Sequence, residues 1–317
     1  MKRQLIFWGT SSFAADLLKS LSRQGLVFDW IISQPDRPGN RKKMQPSPVK
    51  QLAQEKNWPF QQPEKLDFKI KSFLEKEKPA LFVVAAYGKI LPADLLDLPS
   101  WGAINIHASL LPQYRGASPI QSALSSGDKK TGITLIRMNK KMDEGPIITQ
   151  EEVSIHSDDD YVSLEKKLAL KAGEMLPEQI DLWLKGKIKP VPQDHESATY
   201  CRLIEKKDGK VDWQRPAETI HNQFRAFSVW PGIFSFWDRG DQKPERIKIF
   251  SGGFRPDDAF SRNLTPGQIF SLPDKPVCIK AGIGYLLVNQ LQLEGKKILN
   301  AADFINGQPA FKQALLN

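Results

Sequence analysis

Short apolar runs alternate with amphipathic stretches of helix length through the first 190 residues of this chain. Gln4-Leu-Ile-Phe-Trp8 reads as a buried strand. Gly9-Thr-Ser-Ser12 is a turn that carries helix-capping hydroxyls, and apolar residues recur at helical spacing from Phe13 to Leu21. A second strand is predicted over Phe28–Ser33. Ser47 and Pro48 read as the N-cap and first residue of a helix that reaches Glu55. Ala80–Ala86 is continuously apolar, as expected of a strand in a sheet covered on both faces. A strand bearing Asn105 and His107 follows, then a helix near Ser118–Ala123 and strands over Thr134–Met138 and Ile147–Val153. A long helix covers Tyr161–Leu184. This alternation predicts an α/β fold with a Rossmann-like, doubly wound, mostly parallel sheet.

The pattern then changes. Around Lys185–His195, Pro, Gly and Lys replace the apolar periodicity, which suits an exposed linker. After Asp208 the chain reads as short β segments with frequent turns, over 232–237, 246–250, 267–270, 277–280 and 284–288. A helix over Glu218–Phe227 stands at their entrance. Strands so short and so closely spaced suggest a small barrel. The predicted division is a first domain at 1–189, a linker at 190–206 and a second domain at 207–317.

Composition narrows the picture. A chain of 317 residues is long for one domain and comfortable for two. Its 40% hydrophobic and 26% charged residues are those of a globular protein, and no apolar run reaches the length of a membrane helix. The amino terminus passes directly into an apolar strand without a signal-peptide pattern, so a cytoplasmic location is expected, with no membrane partner. Cys201 and Cys278 stand alone, with no zinc or redox spacing, and no metal site is expected. The formal charge of +9 favours an anionic partner, nucleic acid being the common one. The first strand turn carries a single glycine, Gly9, in place of Gly-x-Gly-x-x-Gly, which argues against a dinucleotide site.

Candidate chemistry concentrates in Gly102–Pro119. Asn105 and His107 are two residues apart, so on a strand both side chains leave the same face. An amide and an imidazole side by side can hold a carbonyl oxygen as it becomes an oxyanion. Alone, such a pair serves equally as a satisfied polar contact at a strand end. A carboxylate beside His107 would keep the ring oriented and charged, and Asp143 is the candidate, although an isolated Asp-Glu-Gly is also an ordinary solvated turn. Ser109-Leu110-Leu111-Pro112 is too apolar for an open loop. It is either a loop packed on the core or a wall for a flat ring, and Tyr87-Gly-Lys-Ile90-Leu91-Pro92 would be the matching wall. Both leave the carboxyl ends of strands, where open α/β sheets place ligands. The loop from Gln34 to Lys50 carries Arg37, Arg41, Lys42 and Lys43 and reads either as solvated surface or as a phosphate clamp. Phe13 reads as a core residue of its helix. His156, His195 and His221 lie outside any motif.

Asn105-Ile-His107, Ser109-Leu-Leu-Pro112, Arg115-Gly-Ala-Ser-Pro119 and Met142-Asp143-Glu-Gly145 together resemble the signature of the folate-dependent formyltransferases. The match is closest to the members that formylate methionyl-tRNA, and it runs through nearly the whole chain. Gln34-Pro-Asp-Arg-Pro38, Pro46-Ser-Pro-Val-Lys50 and Phe224-Arg-Ala-Phe-Ser-Val-Trp-Pro-Gly232 extend it, with Ser228 and Val229 where the family has Asn-Pro.

The resemblance implies an OB-like barrel for the second domain and 10-formyltetrahydrofolate, as formyl donor, between the two apolar walls. It assigns oxyanion and proton-transfer roles to Asn105, His107 and Asp143. It implies methionyl initiator tRNA as the acceptor, a methionyl pocket lined by Phe13, and a basic loop that enters the inside of the acceptor stem. In that loop Gly39-Asn-Arg-Lys-Lys43 is one residue shorter than the family's pattern, and Arg41 takes the place of the key arginine. The tRNA-binding role falls to the barrel at 207–317 and a monomer is expected. The alternative with the same chemistry is a sugar-nucleotide N-formyltransferase, against which the basic loop and basic barrel argue. A tRNA-binding module with a dead catalytic domain and a formyltetrahydrofolate hydrolase are the remaining readings.

Overall fold

Leu5–Gly9 is the centre of the first unit, a strand whose five residues are all buried. In this computed structural model, which describes residues 4–38, 44–240 and 243–317, that strand lies between Leu81–Ala85 and Trp30–Ile32, parallel to both. The full seven-stranded order is Ile147–Ser154, Lys130–Arg137, Ala103–His107, Leu81–Ala85, Leu5–Gly9, Trp30–Ile32 and Phe60–Gln61. Five adjacent strands are parallel, and Lys130–Arg137 pairs antiparallel with both Ala103–His107 and Ile147–Ser154. Chain order reverses direction between Leu5–Gly9 and Leu81–Ala85. Crevices at such reversals, beyond the carboxyl ends of the strands, are where open α/β sheets bind ligands. Gly9, Ala85 and His107 are the residues at those ends.

The helices start where the capping chemistry sits. Ser11 caps Ser12–Arg23 by accepting from the Ala14 N–H, and Phe13, Ala14, Leu17, Leu18 and Leu21 form its buried face. Ser47 caps Pro48–Glu55 in the same way, with Pro48 in the first turn. The helix Tyr161–Leu184 has the predicted limits. The helix Phe68–Glu77 and the short strand Phe60–Gln61 have no counterpart in the sequence reading; their apolar residues are too few to impose a period.

Residues 190–203, expected as an exposed linker, are packed onto the first unit, which comprises 1–120, 129–155 and 163–203. Val191 exchanges backbone hydrogen bonds with Ile147, and Tyr200–Cys201 pairs in parallel with Arg115–Gly116. The segment lacks an apolar period because its attachment uses backbone and amide groups.

The second unit comprises 121–128, 156–162 and 204–317. Its antiparallel sheet runs Ile233–Trp237, Glu245–Arg255, Tyr285–Leu293, Lys275–Lys280, Ile269–Leu272, with Leu299–Asn300 paired beside Tyr285–Leu293. The C-terminal residues close it. Leu316 bridges Trp237 on one edge strand, and Leu315 bridges Gln268 at the start of the other. Register shifts at Phe250 to Gly253 mark the bulges that bend the longest strand. The interior holds Trp213, Ile220, Ile247, Ile249, Val277, Leu286, Leu291 and Phe311.

Within this unit, His221 of the helix Ala217–Ala226 shares a 2.9 Å hydrogen bond with the Ser251 hydroxyl and lies between Phe224 and Phe254. Burial, and then the Arg225 charge, push its pKa down to about 4. The unfolded chain binds this proton near pH 6.5. The neutral ring therefore contributes its full stability above pH ~6.5, and that contribution is lost as the pH falls toward 4. Thermal midpoints measured from pH 7.5 to 4.5 should fall less steeply for His221→Leu than for the native chain. Parallel curves would remove His221 as the cause.

Candidate active site

Asn105 and His107 leave the same face of the strand Ala103–His107, and the intervening Ile106 is buried on the other. The third group comes from the turn between the antiparallel strands Lys130–Arg137 and Ile147–Ser154. There Asp143 adopts a left-handed backbone, φ 56°. Gly145 lets that turn close, since a Cβ there would stand 1.9 Å from the Arg137 carbonyl oxygen.

The three side chains meet. The Asn105 amide donates to Asp143 Oδ1 at 3.2 Å, and His107 Nδ1 lies 3.7 Å from the same oxygen. The Gly116 N–H donates to Asp143 Oδ2 at 2.9 Å. His107 is 5% exposed and pairs through Nε2 with the Tyr114 carbonyl at 2.8 Å. A carbonyl can only accept, so Nε2 carries a hydrogen and Nδ1 faces the carboxylate. At 3.7 Å that second contact is electrostatic in character, longer than a hydrogen bond. Glu144, next to Asp143, turns elsewhere, with Oε2 3.4 Å from Lys141 Nζ and 3.9 Å from His195 Nδ1.

The loop after His107 is held by the neighbouring strands. Thr134 donates its hydroxyl to the Ser109 carbonyl and accepts from the Leu111 N–H, while the Gln150 amide donates to the Leu111 carbonyl. Ser109 and Leu111 are buried, whereas Leu110 and Pro112 are half-buried. On the facing loop, Tyr87 and Leu91 point into the core beside Trp8, and Ile90 is 76% exposed. Burial pushes the Tyr87 hydroxyl up to about 12. The Tyr87 carbonyl accepts from the Thr10 hydroxyl and the Gln34 amide, which ties this loop to the first strand turn. Of the groups expected on a ring-facing wall, Tyr87 and Leu91 are buried beside Trp8, whereas Ile90 and the half-buried Leu110 and Pro112 lie nearer solvent.

Phe13 is buried within its helix. Arg37 is exposed and hydrogen-bonds Gln34, and Lys50 pairs with Asp36 at 2.7 Å. That pairing holds the Asp36 carboxyl below its usual range. Arg41, Lys42 and Lys43 lie outside the described residues. Among the described residues, no group of three or more His, Cys, Asp or Glu could hold a metal ion, and no helix is long and apolar enough to cross a membrane.

The sequence reading missed the residues that brace the cluster. Thr199 accepts from the Tyr114 N–H, and its carbonyl accepts from the Arg115 N–H. Gly116, at φ 120°, lies so near the Cys201 carbonyl that a Cβ would stand 2.1 Å from it. Arg115 is fully buried, with its guanidinium on the Gln193 amide. Among these only Arg115 and Gly116 lay in a recognisable motif.

The chain is similar to known proteins over nearly its whole length. The sequence pattern described as formyl transferase matches residues 1–180, and that of the formyl transferase C-terminal domain matches 203–309. A methionyl-tRNA formyltransferase of Sulfurihydrogenibium sp. is 40% identical over 308 residues, 96% of each chain. One from Thermotoga neapolitana is 41% identical over 307 residues, 96% of this chain and 95% of the relative. Solved structures share the fold at lower identity. An N-formyltransferase from Helicobacter canadensis, solved with folinic acid and dTDP-3-aminofucose, superposes with a TM-score of 0.65 at 15% identity, over 90% of this chain and 99% of that one. HypX from Aquifex aeolicus, solved with tetrahydrofolic acid, gives 0.61 at 16%, over 95% of this chain and 46% of that one. Both halves of the pattern and the full-length identity place this chain in the formyl transferase family, alongside the methionyl-tRNA formyltransferases.

Proposed function

We propose that this protein transfers the formyl group of 10-formyltetrahydrofolate to the α-amino group of methionyl initiator tRNA. The observation that carries the reading is the convergence of Asn105, His107 and Asp143 at the carboxyl end of one strand, in a chain about 40% identical to methionyl-tRNA formyltransferases over its length. The neutral amine attacks the formyl carbon, a C–N bond forms, and the carbonyl electron pair moves to oxygen. Asn105 and the His107 ring stabilise that oxyanion. Asp143 holds His107 in place. Collapse restores the carbonyl and expels N10 of tetrahydrofolate, which takes up the proton that the amine releases. Both substrates must be aligned for this, and alignment itself supplies a large part of the rate.

The donor occupies the crevice between the Ser109–Pro112 loop and the Tyr87–Leu91 loop, with Ile90, Leu110 and Pro112 against the ring. Phe13 bears on the methionyl side chain. Residues 1–189 carry the chemistry, and the barrel at 207–317 holds tRNA, joined through 190–206. Arg37, Arg41, Lys42 and Lys43 contact the acceptor-stem phosphates. The protein works as a cytoplasmic monomer.

Labelled 10-formyltetrahydrofolate offered with charged initiator tRNA, charged elongator tRNA and an amino sugar nucleotide tests the acceptor. Label should pass to methionyl initiator tRNA; transfer to the sugar alone would overturn the reading. The triple variant Arg41→Ala, Lys42→Ala, Lys43→Ala should bind tRNA with a salt slope lower by roughly 0.7–0.9 for each phosphate that the loop no longer neutralises, and should bind the folate donor normally. An unchanged slope would make the loop ordinary surface.

A further inference from the structure

Gln193 lies between the two stretches that match the family patterns, 1–180 and 203–309. Its side chain is buried, 6% exposed, and all its hydrogen-bonding capacity is engaged. Oε1 accepts from Arg115 Nε at 3.1 Å and from Arg115 Nη2 at 2.8 Å. Nε2 donates to the Asp143 carbonyl at 2.8 Å and to the Gly145 carbonyl at 2.7 Å. We infer that Gln193 is a positioning residue for formyl transfer, which fixes the Asp143 turn against the Arg115–Gly116 strand so that the Asp143 carboxylate meets Asn105 and His107. The inference rests on the formyl-transfer role proposed for those three side chains.

The geometry favours positioning over a simple tie between loops. The two carbonyls that Nε2 grips bracket the turn. Asp143 holds a left-handed φ of 56°, which a non-glycine residue keeps only when its surroundings impose it. Gripping both carbonyls fixes the Asp143–Glu144 and Gly145–Pro146 peptide planes, and so the direction in which the Asp143 carboxylate leaves the backbone. The other end of the amide acts on the partner of that carboxylate. Arg115 immediately precedes Gly116, whose N–H donates to Asp143 Oδ2. One amide thus sets both sides of the 2.9 Å contact. Gln193 is itself anchored, because Val191 exchanges hydrogen bonds of 2.7 and 2.8 Å with Ile147, on the strand that follows the turn.

Gln193→Glu separates the two roles. It keeps an acceptor for Arg115 and removes the donors to Asp143 and Gly145. Gln193→Met, uncharged and of similar length, removes the donors and the Arg115 acceptor together and tests the whole brace should the carboxylate compromise folding. In either folded variant, kcat for methionyl-tRNA should fall about 10–100-fold, as expected for an outer partner that aligns a reacting group. KM for both substrates should stay within about twofold. The same substitution in an Asp143→Asn background should cost less than about threefold, because the effect runs through that carboxylate. A readout independent of activity is the ¹⁵N spectrum of the histidine rings. His107 signals should move while those of His221, in the second unit, stay. Unchanged kcat, an equal loss in both backgrounds, or an unmoved His107 signal would overturn the inference. A native enzyme inactive toward methionyl-tRNA, with His107 signals that still move, would leave Gln193 as the brace of Asp143 and refute the proposed reaction instead.

Discussion

The carboxylate of Asp143 accepts three approaches at once, and the rest of the site is arranged around that convergence. Its oxygens meet the Asn105 amide, the Gly116 N–H and the His107 ring. Two come from the strand Ala103–His107 and one from Arg115–Gly116, so the contact exists only when the sheet, the turn after Lys130–Arg137 and the Arg115–Gly116 strand are all in register. A largely buried carboxylate is costly unless hydrogen bonds and an opposite charge compensate it. Here N–H donors do so, and hydrogen bonds to a charged group contribute about 1.5–3 kcal/mol each.

The demand for register explains several choices in the sequence. Gly145 is needed because the Arg137 carbonyl approaches too closely for any side chain, and Gly116 because the Cys201 carbonyl does. Thr134 and Gln150, on adjacent antiparallel strands, pin the Ser109–Leu111 backbone from below. Thr199 and Gln193 pin Tyr114 and Arg115 from the side. The His107 ring is thereby held at both nitrogens, by a fixed carbonyl and by a fixed carboxylate. Such preorganisation is how a site stabilises developing charge without reorganising during the reaction.

How much of this could be read in the chain depends on how local each signal was. Ala80–Ala86 announced itself because burial on both faces leaves an unbroken apolar run, and Tyr161–Leu184 because a long amphipathic helix imposes a period. The two-residue spacing of Asn105 and His107 placed them on one face directly. Asp143 was recognised by motif, since nothing in its own neighbourhood says that it crosses to His107. Tyr87 and Leu91 are buried beside Trp8 while Ile90 is exposed, a split that the sequence hid because an apolar loop offers no sign of which side faces the core. Gln193 and Thr199 were taken as linker. They act through amide, hydroxyl and backbone groups across about 80 residues of chain, and such contacts leave no period. The closure of the C-terminal sheet by Leu315 and Leu316 was hidden for the same reason.

The central claim is that the Asn105–His107–Asp143 cluster performs formyl transfer. Its most direct test is the single-turnover rate of formyl transfer to methionyl-tRNA, with both substrates saturating, for the native enzyme and for folded His107→Ala. The account predicts a loss of roughly 10²–10⁴ in that rate, as for removal of a group that moves protons or holds an oxyanion. A His107→Ala rate within about threefold of native would contradict it.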